Sequence, residues 1–195
     1  MRSVEGPGSR PLTVMQTSMV LASMRDPRSG VYIVQDVCET PEALDLTLLR
    51  RAWQVVAGRH PALRTTIEAT AEGRLRQTVG QTGEIPWNEV DWTGLAAADC
   101  QDKLAGFLRE DHARGFDFAQ GVPMRITLLR MPRNASTLIW TSHHVLLDGR
   151  SYLIVWREWF ALYDARWRAG FSPRGASAAQ PSPFTTNLDL SLIHI

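Results

Sequence analysis

The sequence predicts an α/β domain of the layered α+β kind, a mixed sheet with helices packed on it. Three observations carry that expectation. β-Branched runs alternate with segments of helical period along the 195 residues, hydrophobic residues make up 44% of the chain, and seven tryptophans are available to fill a core. The length suits one domain with a proper core.

Residues 1–10 (MRSVEGPGSR) have linker composition. Thr13 is placed to cap a helix running to about Met24, with Val14, Met15, Met19, Val20 and Met24 as a loose apolar face. Turn residues 26–30 (DPRSG) lead into a strand over Val31–Cys38. After Pro41 a helix is expected over Leu46–Gly58, stopped by Gly58. Residues 59–67 enter a second strand, which pairs with residues 74–79 as a hairpin across Glu72-Gly73. Residues 85–92 read as irregular, with room for a short strand. A long helix follows over Leu95–Arg114, then a loop that buries Phe116 and Phe118. Met124–Arg130 and Ser136–Ser142 read as strands joined by a turn at 132–134, and Ser151–Ala169 as a helix. Beyond Gly170 the composition turns to Ser, Pro, Gly, Ala and Gln. Residues 171–188 are thus expected to be a linker, and 189–195, ending LSLIHI, a non-native tail from adapter read-through.

Charge and cysteine usage narrow the function. Twenty-one basic residues stand against twenty acidic ones without a run of either sign, which leaves no nucleic-acid footprint. No stretch has the length and apolarity of a membrane span. Cys38 and Cys100 are isolated, form no metal motif, and suit reduced thiols. A cytoplasmic protein is expected.

Chemistry concentrates in Ser142-His143-His144-Val145-Leu146-Leu147-Asp148-Gly149-Arg150-Ser151, where a buried strand runs out into a short loop before a helix. An imidazole there can exchange a proton near neutral pH from a rigid support, although a His-His pair at a strand end, taken alone, reads rather as a satisfied structural pair. A carboxylate can hold such a loop, and glycine permits a tight turn and close approach of a substrate. No third His, Cys or acid stands in metal-ligand spacing, so no metal is expected.

Several stretches in order resemble the condensation domains of nonribosomal peptide synthetases. His143-His144-Val145-Leu146-Leu147-Asp148-Gly149 is similar to their central His-His-x-x-x-Asp-Gly motif, with Arg150 where Trp or Val is usual and Ser151 in agreement. Pro11-Leu12-Thr13-Val14-Met15-Gln16 resembles the family's opening motif, and Gly30-Val31-Tyr32-Ile33-Val34-Gln35 also resembles the family in its place. Arg59-His60-Pro61-Ala62-Leu63-Arg64-Thr65 is similar to the Arg-His-x-x-Leu-Arg-Thr motif, and Gly115-Phe116-Asp117-Phe118 with Pro123-Met124-Arg125 to the segment before the catalytic strand.

The resemblance implies a fold like chloramphenicol acetyltransferase, two α/β halves meeting around a tunnel. Residues 11–170 would be the N-terminal half alone, a fragment inactive without the C-terminal half. The implied reaction is amide formation between two carrier-bound thioesters. His144 would be the catalytic histidine, accepting the amine's proton or hydrogen-bonding the tetrahedral intermediate. His143 would be structural, and Gly149 would line the thioester's approach. Asp148 would hold the loop by an ion pair with Arg64, and Ser151 would support the site. No cofactor would be bound directly: phosphopantetheine arms arrive on peptidyl and aminoacyl carrier protein domains, alongside an adenylation domain. A stand-alone acyl-CoA-dependent acyltransferase and a non-catalytic carrier-docking module are the rival readings.

Overall fold

The computed structural model describes residues 8–168, together with the backbone of residues 193–194. The elements follow in the order β1 (Ser9–Pro11), α1 (Val14–Arg25), β2 (Ile33–Thr40), α2 (Leu46–Arg59), β3 (Thr65–Ala69), β4 (Leu75–Val79), β5 (Trp87–Asp91), α3 (Ala97–Arg114), β6 (Met124–Arg130), β7 (Ser136–His143), α4 (Gly149–Arg168) and β8 (Ile193–His194). Strands β5-β6-β7-β2-β8 form one sheet in that spatial order, and β1-β4-β3 form a second. Among the described residues only the β5–β6 pair is parallel, so the larger sheet is mixed, as expected.

The central strands bury both faces, so their sequences are nearly continuous in apolar and β-branched residues. Alternation along each strand divides the core in two. Leu138 and Trp140 of β7, Ile126 and Leu128 of β6, and Val34 and Cys38 of β2 pack with α2 and α4. Here Trp53, Trp140, Trp156 and Trp159 interlock, with ring centroids 5.0 Å apart for Trp53–Trp159 and 5.2 Å for Trp156–Trp159. On the opposite face Ile139, Leu129 and Val37 meet α3 through Leu104, Phe107 and Leu108.

Polar residues fasten the C-terminal end of α3 to that second face. The strand registers set Gln35 beside Thr141, and Thr141 beside Arg125, across three adjacent strands. Asp111 of α3 reaches down to all three. It accepts from Arg125 Nε at 2.6 Å, Thr141 Oγ1 at 2.6 Å and Gln35 Nε2 at 2.9 Å. Burial pushes the Asp111 carboxyl up, but the Arg125 guanidinium, helped by Thr141 and Gln35, outweighs it and holds the group below the ordinary carboxylate value.

Several boundaries differ from expectation. β2 begins at Ile33 because Tyr32 has φ 61°, incompatible with a strand. Gly58 does not stop α2, which continues to Arg59. Phe118 is buried, but Phe116 is half-buried with the Arg125 guanidinium 4.5 Å from its ring centroid. The 171–188 linker falls outside the described residues; within the 189–195 tail, Ile193–His194 pairs with β2 at Val37 and Asp36.

Asp111→Ala is expected to strand a buried guanidinium and cost about 3–5 kcal/mol in urea unfolding. Asp111→Ala with Arg125→Met should recover a measurable part of that loss.

Candidate active site

β7 is buried at all eight positions and delivers both histidines where it ends. They meet opposite environments. His143 has no solvent exposure, with Phe118 edge-on at 5.1 Å and Tyr32 tilted at 6.1 Å between ring centroids. Its Nδ1 accepts the Val145 backbone N–H at 3.1 Å, so the ring proton sits on Nε2 and is donated to Ser23 Oγ of α1, 2.9 Å away. The Ser23 hydroxyl donates in turn to the Val31 carbonyl at 3.1 Å. Burial, with a contribution from neighbouring His144, pushes the His143 pKa down to about 4. His143 is therefore a neutral, fully partnered support.

His144 is half-buried, and its backbone N–H is held by the Tyr32 carbonyl at 2.8 Å. Its Nδ1 lies 2.7 Å from the Leu147 carbonyl oxygen, which can only accept, so Nδ1 carries the proton. In the neutral ring the lone pair is then on Nε2, which has no hydrogen-bond partner among the described residues. The loop is closed by Leu146 N–H to the His143 carbonyl at 3.1 Å, and Gln16 Nε2 of α1 donates to the Val145 carbonyl at 3.2 Å.

Asp148 is exposed and caps α4. Its Oδ1 accepts the Ser151 N–H at 2.8 Å and its carbonyl accepts the Tyr152 N–H at 3.1 Å. Hydrogen bonds from the Ser151 side chain and backbone hold its carboxyl below the ordinary value. The anticipated Arg64–Asp148 ion pair is not formed. Arg64 Nε donates to the Ala57 carbonyl at 2.8 Å and NH1 to the Gly80 carbonyl. Its side chain lines a separate cleft of about 510 Å³ with Arg50, Trp53 and Trp87. Sequence proximity to a motif could not show that two nearby backbone carbonyls satisfy this guanidinium first. Arg59 and His60 of the same stretch tie α2 to α4 through Glu158, His60 at 2.5 Å.

Gly149 opens α4 without a positive φ, and a Cβ built there would meet nothing within 4 Å. Its use is bare backbone facing open space, not an unusual turn. Positive φ is needed instead at Gly30 and Gly115, where added Cβ atoms would strike the His112 ring and the Pro27 carbonyl. Sequence reasoning missed Ser23, Gln16 as a loop tether, and the Tyr32 carbonyl as the holder of the His144 N–H. The left-handed conformation of a tyrosine carries no sequence signal.

Among the described residues, no group of three His, Cys, Asp or Glu side chains is arranged to hold a metal, and no helix is long and apolar enough to cross a membrane.

Residues 8–175 match the family model described as the condensation domain. The chain is 36% identical over 155 residues to a linear gramicidin synthase protein of Brevibacillus parabrevis, covering 80% of this chain and 2% of that protein. It is 31% identical over 153 residues to bacitracin synthase 1 of Bacillus licheniformis, covering 78% and 3%. Among solved structures it is similar to the starter condensation domain of rhizomide synthetase, with TM-score 0.73, 22% identity, and coverage of 87% of this chain and 42% of that one. It is also similar to the first condensation domain of the calcium-dependent antibiotic synthetase, with TM-score 0.71, 20% identity, and coverage of 86% and 40%. The fold is thus that of the condensation-domain structures. The chain belongs to the condensation-domain family, and it spans less than half of each matched domain structure.

The two histidines and Arg64 each carry a measurable consequence. In the unfolded chain His143 titrates near 6.5 and in the folded one near 4, so acid favours unfolding. Stability present above pH 6.5 should fall by roughly 3 kcal/mol as pH drops to 4, and His143→Gln should flatten that limb of the denaturation midpoint against pH. In a double-mutant cycle, Arg64→Ala and Asp148→Ala should be additive within error.

Proposed function

We propose that this chain supplies the catalytic histidine of an amide-forming condensation domain, which joins acyl groups held as thioesters on carrier protein domains in nonribosomal peptide synthesis. The observation that carries the reading is the placement of one proton. His144 donates through Nδ1 to Leu147, so in the neutral ring Nε2 is the proton acceptor at the end of a rigid strand. A neutral imidazole in this tautomer cannot begin by donating to an oxyanion, and that favours the base role over the hydrogen-bonding one.

The chemistry balances through that atom. The acceptor amine attacks the donor thioester carbonyl, forming the C–N bond, and its proton passes to Nε2. The imidazolium then faces the tetrahedral oxyanion as a donor. Collapse breaks the C–S bond, and Nε2 returns the proton to the leaving thiolate. The thioester is already an activated acyl donor, so the protein's task is to orient and to move one proton. His143 holds the loop, Asp148 and Ser151 fix the start of α4, and the bare backbone at Gly149 leaves room for the thioester. Arg64 supports the scaffold without touching this loop.

The reading includes partners outside this chain. Carrier domains bring the acyl groups on phosphopantetheine arms, an adenylation domain loads them, and a second half-domain supplies the other wall of the tunnel in a cytoplasmic assembly. Val14, Met15, Leu21 and Met24 on α1, exposed from 53% to 86%, are an apolar face suited to such cover. One matched structure, a mutant of the rhizomide starter domain, holds C8-CoA. An acyl-CoA donor is accordingly the second reading.

In the complete domain, His144→Ala should lower amide formation by about 100-fold or more, followed by mass spectrometry of the product released from the carrier. This chain alone should be inactive. Retained turnover in His144→Ala would sink the base assignment, and turnover with free acyl-CoA but not carrier-bound donor would select the second reading.

A further inference from the structure

The inward stripe of α1 is polar at the two places where it meets the histidine loop. Gln16, Val20 and Ser23 recur at one face of the helix, yet only Val20 is fully buried. Gln16 holds the Val145 carbonyl and Ser23 holds the His143 ring. The apolar residues Val14, Met15, Leu21 and Met24 lie on the outward side. α1 is therefore attached to the loop by directed hydrogen bonds more than by apolar burial.

We propose that Ser23 is a positioning residue for His144, acting through His143. The hydrogen bonds around His143 admit one consistent direction. Val145 N–H donates to Nδ1, Nε2–H donates to Ser23 Oγ, and the Ser23 hydroxyl donates to the Val31 carbonyl. Each end is a backbone group whose role cannot reverse, which fixes both the tautomer and the charge state in between. A doubly protonated His143 would set Nδ1–H against Val145 N–H, two donors face to face. The Val145 amide directly follows His144, so its hold on Nδ1 sets the turn from which the His144 ring reaches the Leu147 carbonyl. The segment that receives the Ser23 proton also carries Tyr32, whose carbonyl holds the His144 N–H. Ser23 thereby couples the two backbone strands that flank His144.

Removing the Ser23 hydroxyl leaves Nε2–H of a fully buried ring without its acceptor. The ring must then reorient, change tautomer or admit water, and each of these loosens Val145.

The proposal rests on His144 being the base of the proposed reaction, and the test separates the two. In the complete domain labelled with ¹⁵N-histidine, the wild-type His143 ring should give the nitrogen shifts of a pure Nε2–H tautomer at pH 7. Ser23→Ala should move those shifts toward a mixed tautomer, lower kcat at least tenfold and leave KM for both thioesters within about twofold. Ser23→Thr, which keeps the hydroxyl, should restore both readouts. An Nδ1–H tautomer in the wild type, unchanged shifts in Ser23→Ala, or shifted tautomers with unchanged kcat would each overturn the proposal. Full activity in His144→Ala would instead overturn the functional reading, while the nitrogen shifts would still decide whether Ser23 holds His143.

Discussion

Strand β7 is buried along its whole length, and its side chains are divided between two different cores. Leu138 and Trp140 are committed to the α2–α4 side and Ile139 to the α3 side, with Thr137 and Thr141 also buried. A slip of one residue would exchange Trp140 for Ile139 or Thr141 and place every side chain on the wrong face. Both neighbours, β2 and β6, are hydrogen-bonded to it in antiparallel register over most of its length. The strand thus ends at a defined height and in a defined orientation. The first residue past the last buried rung is His144.

That placement is reinforced by polar contacts inside the protein. Asp111 locks the end of α3 onto Gln35, Arg125 and Thr141, and Arg125 also donates to the Gly115 carbonyl at 2.8 Å. The chain then turns so that Phe118 packs edge-on against the His143 ring. Buried charges of this kind add little net stability over an apolar replacement, but they tolerate only one geometry. A network running from α3 across three strands to the loop at 115–118 therefore shapes one wall around His143, while α1 and residues 31–32 shape another.

Much of this was legible in the residues. Met124–Arg130 and Ser136–Ser142 announce themselves as strands by β-branched apolar runs, and Thr13 marks the start of α1 as its N-cap. The histidine loop stood out through its place among several ordered stretches that resemble one family, since a His-His pair at a strand end taken alone reads as a structural pair. Contacts between distant residues were not. Gln35, Thr141 and Arg125 look like ordinary polar positions until strand register places them side by side beneath Asp111. Arg64 looks like a partner for Asp148 until the carbonyls of Ala57 and Gly80 are seen to lie closer to hand. Ser23 is a small polar residue within a helix, and nothing local distinguishes it from a solvent-facing serine.

The two histidines show how identical side chains acquire different work. Adjacent in sequence, they carry their protons on opposite ring nitrogens because of what the backbone presents to each Nδ1. His143 meets an amide, which must donate, so its Nδ1 is bare and its proton is used up on Ser23. His144 meets a carbonyl, which must accept, so its Nδ1 is protonated and, in the neutral ring, its Nε2 carries the lone pair. Burial then completes the division. The His143 pKa is pushed to about 4, which keeps it uncharged at neutral pH, whereas His144 remains half open to solvent. The same turn that gives Val145 N–H to one ring gives Leu147 C=O to the other, so a loop of four residues sets both proton positions at once.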